Sequence, residues 1–122
     1  MKLVDTSSWI EQLRPRGNAE VRQRVDALLR GGQASWCAPV RLELWMGVRG
    51  DHEKTVPRRY EQVLPDLEIT GQIWEEACDL ARRARAAALT CPSPDVLIAA
   101  CARHYDMEID AVDGHFAKLM AL

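Results

Sequence analysis

Carboxylates are the side chains of this sequence that are best placed to do chemistry. Asp5 directly follows an apolar run at the N-terminus, Asp113 directly follows the last such run, and Asp95 begins a helical segment after the break at 92–94. In an open parallel sheet, binding sites form beyond the carboxyl ends of the strands. Acids gathered there would repel one another, and a hard divalent cation such as Mg²⁺ or Mn²⁺ relieves that repulsion. These acids therefore predict a metal site that could act on a phosphate group.

Glu43 is the fourth candidate because of the helix face on which it lies. Val40, Leu44 and Gly47 share this face by helical spacing, so the carboxylate is predicted to point inward. A buried carboxylate is costly unless it is paired or bound to metal. Either a salt bridge to an arginine or a place in the acidic cluster would satisfy it.

Each aspartate also has a purely structural interpretation. Asp5 could cap the helix that follows it, and Asp113 with Gly114 could form a turn. Asp95 follows Ser93, a predicted N-cap, and could simply complement the helix dipole. Capping explains each residue taken singly, whereas the joint pattern favours a metal centre.

The elements that would position these acids alternate between strands and helices. Strands are predicted at 1–4, 35–38, 67–70 and 107–112, and helices at 6–14, 19–30, 40–48, 58–64, 72–89, 95–104 and 115–122. This alternation indicates a parallel sheet covered by helices on both faces. The predicted fold class is α/β, with three layers and a central parallel sheet of roughly four to five strands, and residues 1–122 are predicted to form a single domain.

Composition and charge narrow the setting in which the protein works. Hydrophobic residues make up 48% of the chain, an ordinary globular share, and no uncharged run is long enough to span a bilayer. Residues 1–4 meet Asp5 directly and leave no room for a signal-peptide core, so we expect a cytoplasmic protein that does not engage a membrane. The net charge of −2 is compatible with a nucleic-acid partner if arginines surround an acidic, metal-filled pocket. The four cysteines show no CxxC pair and are predicted to be reduced, mostly buried thiols.

Four segments around the candidate acids carry a family resemblance. They are Val4-Asp5-Thr6-Ser7-Ser8-Trp9, Arg41-Leu42-Glu43-Leu44-Trp45-Met46-Gly47, Pro94-Asp95-Val96-Leu97-Ile98-Ala99-Ala100 and Val112-Asp113-Gly114-His115-Phe116. In this order and at these separations they resemble the PIN-domain family, and within it the VapC-type toxins of bacterial toxin–antitoxin pairs. The resemblance covers essentially the whole chain.

The resemblance implies a Rossmann-like PIN fold, and it places the family's acidic cluster on Asp5, Glu43, Asp95 and Asp113. Thr6 or Ser7 would match the hydroxyl that supports the first aspartate or touches a metal-bound water. The implied cofactor is Mg²⁺ or Mn²⁺, and the implied activity is endoribonuclease cleavage of RNA. The implied partner is a cognate VapB-type antitoxin, with a toxin homodimer at the centre of the complex.

The end of the last predicted strand and the segment after it depart from the family pattern. Ala111 stands where a hydroxyl residue is usual, and His115 stands where an acidic residue is common. Asp110 is an extra acid that could assist the site, although we predict a solvated residue at the end of the strand. The three histidines show neither triad nor metal-ligand spacing, so no role is predicted for them.

Other phosphate-handling folds fit the sequence less well. A haloacid-dehalogenase-like phosphatase needs a second aspartate two residues after Asp5, where Ser7 stands. A response-regulator receiver needs adjacent acids after the first strand and a late lysine, whereas Lys118 lies in the predicted terminal helix. The remaining alternative to a nuclease is a degenerate PIN module that only binds an antitoxin or another protein, with a basic side chain in its acidic pocket.

Overall fold

Parallel strands form the centre of the protein, whose computed structural model describes residues 1–112 and 114–122 apart from the side chains of His52 and Glu53. Within these residues the strands are β1 (Lys2–Val4), β2 (Ala34–Cys37), β3 (Asp66–Leu67) and β4 (Glu108–Asp110). Their order across the sheet is β3-β2-β1-β4, and every pairing is parallel. The predicted α/β class and the parallel sheet are therefore confirmed.

Helices fill the connections between the strands. In the described part of the chain they are α1 (Thr6–Leu13), α2 (Ala19–Arg30), α3 (Ala38–Met46), α4 (Thr55–Val63), α5 (Gly71–Ala86), α6 (Ser93–His104) and α7 (His115–Met120), with a 3₁₀ turn at Asp51–Lys54. Each begins within a few residues of its predicted start. None of the described helices has both the length and the apolar character needed to cross a bilayer.

The third strand differs most from its prediction. Residues 67–70 are predicted to be extended, whereas β3 contains only Asp66 and Leu67. The Thr70 hydroxyl accepts a hydrogen bond from the Ile73 N–H at 3.3 Å and caps α5. Because an N-cap satisfies an otherwise unpaired amide of the first helical turn, Thr70 is used by the helix and strand pairing ends early.

The core surrounds α6, which is buried along most of its length. Its residues from Val96 to Ala102 are buried, and it packs against α3, α5 and α7. A helix that is apolar on every side is expected to lie inside a domain. Elsewhere in the core, Trp9 and Trp36 are almost completely buried, and both rings contact the ring of Tyr60. The ring contacts hold α1, β2 and α4 together, and burial on every side holds α6 within the core.

The strand order reverses between β1 and β4. The chain runs from β1 outward to β2 and β3, and it returns with β4 on the other side of β1. Val4 lies beside Asp110 in register, and the Asp5 N–H donates to the Asp110 carbonyl at 2.8 Å. Ligands bind at such switch points in open α/β sheets. The backbone alone therefore brings the segments after β1 and β4 together at a binding edge.

Asp110 is not the solvated residue that the sequence predicts, since it is only 5% exposed. Its Oδ2 accepts a hydrogen bond from Arg24 Nε at 2.6 Å, and its Oδ1 accepts bonds from Arg24 Nη2 at 3.0 Å and Ser8 Oγ at 2.7 Å. Burial alone would raise the Asp110 pKa, but these bonds outweigh burial and hold the pKa below its ordinary value. Asp110 ties α1 and α2 to β4, and both of its oxygens are committed to that role.

The cysteines follow their predicted burial only in part. All four are free thiols. Cys37 and Cys101 are buried, Cys91 is half-buried and Cys78 is exposed. The prediction of mostly buried thiols is therefore correct for two of the four.

We predict that Arg24→Ala lowers the free energy of unfolding by about 2 kcal/mol, because it leaves a buried carboxylate without its charged partner. The cost is smaller than for a fully buried pair since the Arg24 side chain is 41% exposed. The lowered Asp110 pKa means that the pair stabilises fully above the ordinary carboxyl pKa and loses its effect as the pH falls below about 4. Urea unfolding at neutral and acidic pH measures both effects.

Arg30→Ala, on the same helix, is the matched control. Arg30 pairs with Asp26 at 2.8 Å, but its side chain is 81% exposed, so the loss is expected to stay below about 0.5 kcal/mol. Equal destabilisation by the two substitutions would contradict the structural role of Asp110.

Candidate active site

Asp5 lies at the junction between β1 and α1 and is 4% exposed. It is the N-cap of α1, as the structural interpretation predicted, because its Oδ2 accepts a hydrogen bond from the Ser7 N–H at 3.0 Å. The Ser7 hydroxyl donates to the same oxygen at 2.7 Å and accepts a bond from the Val112 N–H at 3.0 Å. Both bonds to Asp5 use Oδ2, so the cap does not require Oδ1. Ser7 is thus the hydroxyl that holds the first aspartate, and it joins that aspartate to the segment after β4.

Glu43 projects from α3 toward the start of α1. The Thr6 hydroxyl donates a hydrogen bond to Glu43 Oε1 at 3.1 Å. A salt bridge to an arginine was the structural alternative for this residue, and the partner found here is instead a neutral hydroxyl. Of the two hydroxyl residues singled out in the sequence, Ser7 contacts Asp5 and Thr6 contacts Glu43.

Asp95 lies in the first turn of α6, and its side chain is 16% exposed. The N-cap of α6 is Pro92 rather than Ser93, so the predicted cap is wrong by one residue. Asp95 Oδ2 lies 2.5 Å from His115 Nε2. Sequence spacing predicted no role for His115, which nevertheless contacts one of the candidate acids.

Asp113, the fourth predicted acid, lies outside the residues that the structure describes. Asp110 does not replace it, because its carboxylate is bonded to Arg24 and Ser8. The described part of the candidate site therefore consists of Asp5, Glu43 and Asp95, with the donors that hold them.

The three described acids influence one another electrostatically. Burial raises the pKa of Asp5, and the negative charge of Asp95 adds to that rise, whereas the hydrogen bonds from Ser7 oppose it. Burial also raises the pKa of Glu43, with further contributions from the charges of Asp5 and Asp95 and an opposing one from Thr6. Carboxylates that come from β1, α3 and α6 are therefore close enough to repel each other.

The chemistry of this donor set fits a hard divalent cation. Carboxylate oxygens are the ligands that Mg²⁺ and Mn²⁺ prefer, and a cation would offset both the burial of negative charge and the repulsion that raise the pKa values of Asp5 and Glu43. In the described residues, however, no three His, Cys, Asp or Glu side chains are gathered tightly enough to constitute a formed metal site. The acids thus share one region, and ligation of a common ion would require their side chains to draw closer.

A broad apolar groove runs beside this region. It is lined by α3, α5 and the N-terminal end of α6. Leu42 and Trp74 line it and are 62% and 55% exposed. Contiguous exposed apolar surface of this kind marks interaction sites in soluble domains.

Sequence comparison relates the whole chain to one family. The family model of the PIN domain matches residues 2–121. Ribonuclease VapC11 of Mycobacterium tuberculosis is 32% identical over 121 residues, which cover 95% of this chain and 89% of that protein. VapC ribonuclease Mb1587 of Mycobacterium bovis is equally similar, with 32% identity over 121 residues and the same coverage.

Solved structures with the same fold are more distant in sequence. FitAcB from Neisseria gonorrhoeae superposes with a TM-score of 0.76 at 19% identity, over 100% of this chain and 94% of that one. VapBC2 from Rickettsia felis, bound to a DNA fragment from its promoter, superposes with a TM-score of 0.77 at 10% identity, over 96% of this chain and 91% of that one. At these identities the likeness establishes the fold.

We predict that Glu43→Gln raises the free energy of unfolding of the metal-free protein at neutral pH, by up to about 1 kcal/mol. The amide keeps an acceptor for Thr6 and removes a repelled charge. Because the Glu43 pKa is raised in the folded protein, its carboxylate destabilises above that pKa, and the penalty fades as the pH falls through it toward the ordinary carboxyl value. Chemical unfolding in the presence of EDTA, from neutral pH down to about pH 4, measures this difference.

Glu75→Gln, at an exposed position of α5, is the control and should change the stability by less than about 0.5 kcal/mol at any of these pH values. If Glu43→Gln is destabilising at neutral pH, the repulsion inferred among the three acids is wrong.

Proposed function

The chain belongs to the PIN-domain family, and from this premise we propose that it is a metal-dependent endoribonuclease and the toxin of a VapBC-type pair. The observation that carries the proposal is the meeting of Asp5, Glu43 and Asp95 at the carboxyl edge of the sheet, where burial and neighbouring negative charges raise the pKa values of Asp5 and Glu43. The ribonuclease names of the relatives at 32% identity support the same reading. Asp113 completes the proposed set from the segment after β4.

In the proposed mechanism, Asp5, Glu43 and Asp95, with Asp113, hold Mg²⁺ or Mn²⁺ against the scissile phosphate. When bound, the cation orients the phosphate, lowers the pKa of a water and offsets charge on the leaving oxygen. Ser7 keeps the Asp5 carboxylate directed from the end of β1, and Thr6 keeps Glu43 directed toward it. In-line attack by water on phosphorus leaves a 5′-phosphate and a 3′-hydroxyl.

We propose RNA as the substrate because of the names of the relatives, and not because of the chemistry of the carboxylates. Hydrolysis by this route does not use the 2′-hydroxyl, so the carboxylates by themselves would act on either nucleic acid. The relatives at 32% identity bear the name ribonuclease.

Two protein partners are part of the proposal. The first is a cognate VapB-type antitoxin, since the superposed neighbour from Rickettsia felis is a VapBC assembly. The second is another copy of this chain, which we assign to the apolar groove along α3 and α5 because Leu42 and Trp74 are exposed there. Burying these side chains against their symmetry mates would remove a large apolar surface from water.

A degenerate module that only binds protein remains the second candidate. It is favoured by one observation, that the described acids do not form a ready-made metal site. In that case the acidic pocket would bind a basic side chain of the partner. The two candidates differ in whether the isolated protein cleaves RNA.

We predict that the purified protein, freed of any antitoxin, cleaves RNA with Mg²⁺ or Mn²⁺ and stops when EDTA is added. Asp5→Asn, Glu43→Gln and Asp95→Asn should each reduce the cleavage rate by about 100-fold or more, because each removes charge needed by the cation. Asparagine can still cap α1 at position 5, so loss of activity there does not require loss of folding. A fluorescent RNA of mixed sequence provides the rate.

Asp79→Asn is the matched control, since Asp79 lies on α5 with a side chain that is 61% exposed and paired with Arg83. It should cleave RNA at the wild-type rate. Cleavage that is equal in the wild type and the three site variants would reveal a contaminating nuclease and leave the protein-binding module as the better account.

We predict that the isolated wild-type chain has the mass of a dimer in light scattering and that Leu42→Glu has the mass of a monomer. A charge at this position would have to be buried in the groove without a partner. Val63→Glu is the control, because Val63 is 63% exposed on α4 and does not line the groove. A monomeric wild type, or a dimer that survives Leu42→Glu, would exclude this face as the contact between copies.

A further inference from the structure

His115 is the residue at the candidate site to which the proposed mechanism assigns no task. Its Nε2 lies 2.5 Å from Asp95 Oδ2, and the two side chains are 32% and 16% exposed. The contact joins the first residue of α7 to the first turn of α6. It therefore spans two helices at the edge where the acids meet.

The imidazole ring is held in place from its other side. It stacks on Phe116, with ring centroids 5.0 Å apart and an interplanar angle of 28°. Phe116 is 3% exposed and belongs to the hydrophobic core. Since α7 packs against α6, the ring and the Asp95 carboxylate are anchored to neighbouring parts of one rigid core.

The direction of this hydrogen bond follows from the chemistry of its two atoms. An ionised carboxylate has only acceptors, so the proton must reside on His115 Nε2. A ring nitrogen that carries a proton has no lone pair for a cation. While the contact is in place, His115 Nε2 is therefore a donor to Asp95 and is not itself a metal ligand.

We propose that His115 is a positioning residue, which holds Asp95 Oδ2 so that the second oxygen, Oδ1, is presented to the cation. The inference rests on the metal-dependent function proposed above and names a residue that supports it. Repulsion from Asp5 and Glu43 would otherwise favour Asp95 conformers that turn away from the cluster. Ligating carboxylates are commonly fixed by such an outer hydrogen bond, and removing it weakens metal binding by about 10–100-fold.

The test is Mn²⁺ affinity of the full-length protein, measured by calorimetry and by the electron paramagnetic resonance signal of free Mn²⁺. We expect His115→Leu to raise the dissociation constant by about 10–100-fold. We expect His115→Gln to stay within about threefold of the wild type, because the glutamine amide can donate from nearly the same position as Nε2. Rescue by glutamine separates a hydrogen-bond donor from a side chain that merely fills space.

His104→Leu is the matched control. His104 lies at the end of α6 and contacts Glu76 rather than the candidate acids, so its loss should leave Mn²⁺ affinity unchanged. Urea unfolding of each variant in EDTA provides the check that the fold is retained.

The possible failures point to different conclusions. A wild-type protein that binds no Mn²⁺ would overturn the metal-dependent function and this inference with it. If the wild type binds Mn²⁺ and His115→Leu binds it with the same affinity, only the positioning role is overturned. Tighter Mn²⁺ binding by His115→Leu than by the wild type would mean that the imidazole competes with the cation for Asp95. Mn²⁺ binding by His115→Gln that is as weak as that of His115→Leu would mean that the ring itself is required. Either result would contradict the proposal.

Discussion

Repulsion among the Asp5, Glu43 and Asp95 carboxylates is the constraint on which this end of the protein depends. Each acid comes from a different element, and none could approach the others unless the fold held it there. Hydroxyls of Ser7 and Thr6 orient two of them without neutralising their charge. The repulsion among the three carboxylates lowers the stability of the folded protein. Burial of apolar side chains around α6 and around the Trp9 and Trp36 rings offsets this loss.

Asp110, at the same edge of the sheet, has a structural role, and its hydrogen-bond donors differ from those of Asp5. It receives two hydrogen bonds from Arg24, and its pKa falls below the ordinary value despite burial. Asp5, a few ångströms away along the paired strands, has a hydroxyl and an amide as donors, and its pKa rises. A full counter-charge marks the structural carboxylate, whereas neutral donors leave a carboxylate whose charge is still available to a cation.

The sequence pattern correctly predicted the features that depend on residues close together in the chain. Helical spacing placed Glu43 on an inward face, and the position after β1 placed Asp5 at the sheet edge, because both depend on residues within one or two turns. The errors involve partners that are remote in sequence. Arg24 reaches Asp110 across 86 positions, and His115 reaches Asp95 across 20. No regular spacing of residues in the sequence predicts either of these two contacts. β3 was placed wrongly for another reason, since the cap formed by Thr70 competes with extension of the strand.

The capping interpretation and the chemical interpretation of these acids turn out to be compatible, because a carboxylate has two oxygens. Asp5 caps α1 through Oδ2, Glu43 accepts from Thr6 through Oε1, and Asp95 meets His115 through Oδ2. Each of these hydrogen bonds uses one oxygen to fix the side chain, and none of them requires the second. A divalent cation that takes the second oxygen of each acid would leave the first oxygen to its hydrogen bond, while the three side chains draw closer around the ion. The use of one oxygen for the fold and one for the ion explains why each acid taken singly has a structural interpretation, while their combination favours a metal site.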